Sequence, residues 1–210
     1  MKKRKKTLVL IYRIILLVFI IIGISLNFMA KNKDWNLLLS YYTIQSNFIV
    51  ALFLIMEISN YFKPIKIFKK ESTYQTIKGM ITLIILITGL VFAIILSPYV
   101  KDWTGSRLYS SYILHYISPT MVLIDFLFLE KSTEKISFKR NILWFIYPII
   151  YYVFGVIRVL FLDGFVPYPF LNVKELGPIK SILYFLILFI SFYLISFVLV
   201  YAKNKTVKHK

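Results

Sequence analysis

Apolar residues along this chain gather into six blocks, each near the roughly 20 residues that a helix needs to cross a bilayer. The blocks cover residues 7–29, 35–61, 76–99, 108–129, 142–162 and 179–202. The connections are short and polar, and none has room for a further domain. No internal repeat and no low-complexity linker interrupts them. The pattern predicts an all-α polytopic membrane protein, a single bundle of six transmembrane helices spanning residues 1–210.

Two of the blocks carry polar residues at helical spacing. On the second these are Ser40, Thr43 and Asn47, with Ser46 beside them. On the fourth they are Ser111, His115 and Ser118, then Asp125 two turns further on. Steps of three and four place each set on one helix face. Such groups would be unsatisfied against lipid, so both stripes are expected to face the bundle interior.

Composition narrows the class. The 210 residues are 59% hydrophobic and 17% charged, with seven Gly and seven Pro, which excludes an ordinary soluble domain. Cysteine is absent, which excludes disulfides, thiolate nucleophiles and cysteine-ligated metals. Of two histidines, one (His209) lies in the terminal tail, so a histidine-rich metal site is not expected. No glycine-rich phosphate loop, G-x-S-x-G elbow or metal-ligand spacing occurs, and no cofactor is expected.

The formal charge of +17 flanks the apolar blocks and does not form a stripe on a soluble face. Membrane lipids, not nucleic acid, are therefore the expected partners, and oligomeric state stays open. Four segments hold most of the cations. They are the N-terminus (Lys2, Lys3, Arg4, Lys5, Lys6), the second loop (Lys63, Lys66, Lys69, Lys70, Lys78), the fourth loop (Lys131, Lys135, Lys139, Arg140) and the tail (Lys203, Lys205, Lys208, Lys210). The odd loops hold Lys31, Lys33, Lys101, Arg107, Lys174 and Lys180. This excess predicts a cell-membrane protein with both termini cytoplasmic. The first block is too long for a signal-peptide core and lacks an A-x-A-like cleavage site, so it is read as a retained helix.

With that orientation, a rise of about 1.5 Å per residue puts Thr43 roughly 12 Å and His115 roughly 11 Å below the outer surface. A threonine hydroxyl becomes a nucleophile when a neighbour takes its proton, and a neutral imidazole does this near pH 7. Asn47, Ser111 or Arg158 would orient a substrate or stabilise an oxyanion. A simple interhelical hydrogen bond between Thr43 and His115 meets the same pattern, and spacing separates neither reading. Arg158 also fits a snorkelling interfacial residue. Nearer the cytoplasmic side, Arg13, Glu57 and Asp125 share a depth and predict a structural charge cluster, with a proton relay as its alternative.

Three segments carry a resemblance: Tyr42-Thr43-Ile44-Gln45-Ser46-Asn47, Leu114-His115-Tyr116-Ile117-Ser118-Pro119 and Val166-Pro167-Tyr168-Pro169-Phe170-Leu171. Together they resemble the androgen-induced-gene-like multi-pass membrane proteins, and more closely a family of six-span bacterial proteins. The resemblance implies an atypical hydrolase of lipid esters, notably fatty acid esters of hydroxy fatty acids. Thr43 and His115 would be its catalytic pair, acting on an acyl-chain-bearing lipid. It assigns no catalytic part to residues 167–170, where an interfacial anchor or a lid are the two readings. A non-enzymatic small transporter or channel, and a membrane partner-binding protein, are the alternative functions.

Overall fold

The computed structural model describes residues 3–30, 35–100 and 104–207. Lys2, Lys31, Lys33, Lys101, Lys208, His209 and Lys210 lie outside the described residues. Six helices are long and apolar enough to cross a membrane, and they build an all-α bundle. Helix α1 covers Lys3–Ala30, and α2 is a single turn, Trp35–Leu38. Helix α3 covers Tyr42–Phe62, and α4 covers Glu71–Val91 before continuing as a π-helical turn, Phe92–Leu96. The fourth span joins α5 (Gly105–Tyr112), a π-helical turn (Ile113–Ile117), α6 (Ser118–Ile124) and a second π turn (Asp125–Leu129). The fifth is a 3-10 segment, Arg140–Phe145, running into α7 (Ile146–Phe161). The last is α8 (Val173–Lys205), interrupted where Gly177 takes φ 74° ahead of Pro178.

Helices α3 and α4 form the centre, each half buried, while α1, α7 and α8 turn large apolar side chains outward. That outward apolar surface is what a bilayer would cover. Gly79 allows the close approach of Trp144, since a Cβ there would lie 2.0 Å from the indole ring. Gly89 does the same for the fourth span: a Cβ there would meet the His115 carbonyl oxygen at 2.9 Å.

The second span departs from the sequence expectation of one helix over residues 35–61. Its helix breaks between α2 and α3, where Tyr41 is extended (φ −78°, ψ 133°). Thr43 therefore stands in the first turn of α3, not midway down a continuous helix. The break is held from α7, whose Tyr151 hydroxyl donates to the Ser40 carbonyl at 2.9 Å and accepts from the Tyr42 amide at 3.1 Å.

Two cations read as loop or tail charges belong to the interior. Lys78 and Lys203 are almost completely buried, at the bundle end that carries residues 3–13 and 200–207. There Lys78 Nζ meets Glu57 Oε1 at 2.7 Å and Asp125 Oδ2 at 2.9 Å. Arg13 pairs with Asp125 (3.1 Å), Glu57 (3.3 Å) and Glu130. The Tyr74 hydroxyl lies 2.5 Å from Glu57 and 2.8 Å from Glu130, with one hydrogen to share between them. Lys203 donates to the Phe126 and Glu130 carbonyls, both at 2.6 Å. Two cations, Arg13 and Lys78, thus meet three carboxylates, and Lys203 from the last span caps two carbonyls at the end of the fourth. Burial alone would push the Glu130 carboxyl up, but Lys78 and Arg13 outweigh it and hold it at about 2.

Candidate active site

At the opposite end, α3 and the fourth span bring Thr43 and His115 together. Thr43 Oγ1 lies 3.1 Å from His115 Nε2, and both side chains are buried. The other ring nitrogen, Nδ1, lies 3.0 Å from the Ser111 carbonyl oxygen and 3.3 Å from the Ser111 hydroxyl. A carbonyl can only accept, so in the neutral ring Nδ1 carries the hydrogen and Nε2 presents its lone pair. Thr43 then donates to Nε2. The tautomer follows from the backbone of the same helix.

The histidine sits within a π-helical turn, a feature that often marks functional sites. A second π turn, at the end of α4, packs against it, and Phe92 stacks on the imidazole with ring centres 3.8 Å apart and planes at 22°. Pro119 follows one turn later and has no amide hydrogen to give. The carbonyl of Leu114 accepts instead from Asn47 Nδ2 at 3.2 Å.

Asn47 is thereby committed. Its amide also donates to the Thr43 carbonyl at 2.9 Å, and its oxygen accepts from Ser118 at 2.6 Å. It ties α3 to the fourth span and points no free donor at Thr43. Ser111 orients the imidazole. Arg158 is held elsewhere, by Asp163 on both carboxylate oxygens and by the Ser40 hydroxyl, with its guanidinium 4.8 Å from the Phe165 ring centre. The Arg158 hydrogen bond holds the Asp163 carboxyl at about 2. Arg13, Glu57 and Asp125 converge at the far end of the bundle, away from this pair.

Tyr168 joins the pair from the loop between α7 and α8. Its hydroxyl lies 3.4 Å from Thr43 Oγ1 and accepts from the Thr43 amide at 3.4 Å. The ring is buried, stacked on Phe170 and set edge-on to Tyr41. Sequence reasoning read this segment as an anchor or lid. The Pro-Tyr-Pro sequence marks the segment, but nothing in it gives Tyr168 a catalytic part.

Two cavities meet at Thr43 and Tyr168. One, of about 90 Å³, is walled mainly by apolar and aromatic groups, among them Ile87, Val91, Phe145, Leu188 and Phe192. The other, of about 250 Å³, holds the polar groups: Asn27, Arg107, Ser111 and His115. The hydroxyl therefore stands between an oily space and one whose lining also carries polar groups. Among the described residues no cluster of metal-ligating side chains occurs.

Fold and site together define an all-helical, six-span membrane protein with a buried Thr–His hydrogen bond near one end. Compared with protein-family models, curated proteins and solved structures, the chain matches none.

Proposed function

We propose that the protein is a membrane-embedded hydrolase of lipid esters, with Thr43 as nucleophile and His115 as its base. The carrying observation is the Thr43 hydroxyl 3.1 Å from a ring nitrogen whose partner nitrogen faces a carbonyl. The two cavities support it, one oily and one with polar groups in its wall, since an acyl chain and an ester's polar side need different surroundings. The resemblance to the androgen-induced-gene-like proteins supports the same pair.

In the reaction, Thr43 Oγ bonds to the ester carbonyl carbon as the carbonyl π pair moves to oxygen. The threonine proton passes to His115 Nε2. Collapse restores the carbonyl, the bond to the alcohol oxygen breaks, and that oxygen takes the proton from His115. Water, deprotonated by the same nitrogen, then bonds to the acyl carbon; the bond to Thr43 Oγ breaks, that oxygen takes the proton back from His115, and the acid leaves. We place the protein in the cell membrane with both termini cytoplasmic, on the lysine and arginine excess at that end, so that the site lies under the outer leaflet.

Transport is the weaker reading. Between the Thr–His pair and the charge cluster stands an apolar layer of Leu16, Ile20, Val50, Leu54, Ile81, Ile85 and Val122. Lipid and aryl esters offered to purified protein test the proposal. Turnover should fall at least 100-fold in both Thr43→Ala and His115→Ala. Wild-type rates in both variants would refute it.

A further inference from the structure

We infer that Tyr168 is a third catalytic residue, donating its phenolic hydrogen to the oxyanion that forms when Thr43 attacks. The inference rests on the hydrolase reading above. It begins from a gap in the site: attack creates a negative oxygen, and each donor anticipated for it is engaged elsewhere. Asn47 spends its amide hydrogens on two backbone carbonyls. Arg158 is tied to Asp163 and Ser40. Ser111 lies on the Nδ1 side of the imidazole, away from the nucleophile. The Tyr42 amide is capped by Tyr151, whose own hydrogen goes to the Ser40 carbonyl.

Among the described residues, the donors in contact with Thr43 itself are its own amide and the Tyr168 hydroxyl. With the histidine tautomer set, the order of donation at rest is settled. Thr43 gives its hydrogen to His115, so its oxygen accepts from Tyr168, 3.4 Å away. The Thr43 amide meanwhile points at the phenol oxygen. An ester carbonyl bonding to Thr43 Oγ1 leaves its oxygen about 2.3 Å from that atom, between amide and phenol. The phenol hydrogen then turns from the threonine oxygen to the oxyanion, with no bond to Tyr168 formed or broken. Burial pushes the Tyr168 phenol up to about 12, which keeps the hydrogen in place at neutral pH.

Tyr168→Phe keeps the ring and its packing and removes the hydroxyl alone. Turnover of an aryl ester should fall about 100-fold or more through kcat, with KM held within about threefold. A merely structural tyrosine would not change how the enzyme discriminates oxygen from sulfur. The matching thionoester, whose carbonyl sulfur accepts hydrogen bonds poorly, should therefore react much more slowly than the ester in the wild type. In Tyr168→Phe that ratio should shrink at least tenfold. A wild-type kcat, or an unchanged ester-to-thionoester ratio, overturns the assignment of Tyr168 and leaves Thr43 and His115 standing. Absence of ester turnover in the wild type overturns both readings.

Discussion

His115 Nδ1 lies 3.0 Å from the carbonyl oxygen of Ser111, one turn earlier on the same span. Among the described residues, a backbone carbonyl four positions away faces the second ring nitrogen and favours a lone pair on the nitrogen beside Thr43. Asp–His arrangements achieve the same selection with a buried charge. Here a neutral dipole does it, which suits a site in low-dielectric surroundings where an extra charge is costly.

That relationship gives a spectroscopic expectation. In a His209→Gln background His115 is the one histidine left. Its ring nitrogens in neutral buffer should show the pattern of the Nδ1–H tautomer by ¹⁵N NMR. A ring with its hydrogen on Nε2 would remove the base from Thr43.

The charge cluster should respond asymmetrically to truncation. Lys78→Met leaves Glu57 and Asp125 buried with one cation fewer and should cost about 3–5 kcal/mol, read as a lowered Tm in detergent. Adding Glu57→Gln to Lys78→Met should recover part of the loss, because charge balance returns. An additive double variant would mean that the two side chains do not share one network.

Acid should weaken the same end of the molecule. The Glu130 carboxyl is held at about 2, below its ordinary value of 4.5. A depressed carboxyl stabilises the fold above the unfolded value and loses that contribution as pH falls towards the folded one. The Tm difference between wild type and Glu130→Gln should be full at pH 6 and shrink between about 4.5 and 2. A difference that does not vary with pH would place the effect in packing instead.

Orientation can be read chemically because the chain has no cysteine of its own. Single cysteines at Ser72 or Lys135 should react with a membrane-impermeant maleimide only after cells are opened. A cysteine at Lys174 should react in intact cells. The reverse pattern would put the Thr–His pair under the inner leaflet.

The span count was legible because hydrocarbon thickness imposes a length on each apolar block, and the bundle meets it. The convergence of Thr43 with His115 was legible too, although the reasoning about depth assumed an unbroken second helix. The break at residues 39–41 left no local trace: Leu39, Ser40 and Tyr41 include neither Gly nor Pro, and its supports come from Tyr151 and Arg158, over 100 residues away. Lys78 and Lys203 were counted as flanking charges because a lysine at a block edge reads the same whether it reaches water or an internal carboxylate. Tyr168 was invisible for a different reason. Its contribution depends on a loop folding back over α3, and aromatic residues near a membrane surface have an ordinary use as anchors.

The layer of aliphatic side chains from Leu16 to Val122 has one more consequence. It insulates. In the proposed reaction, a proton taken up at His115 meets this aliphatic layer before it meets Asp125, and the return to its own face is the shorter way. Under the proposed hydrolysis, acid–base chemistry stays on one side of that layer and does not short-circuit the voltage across the bilayer.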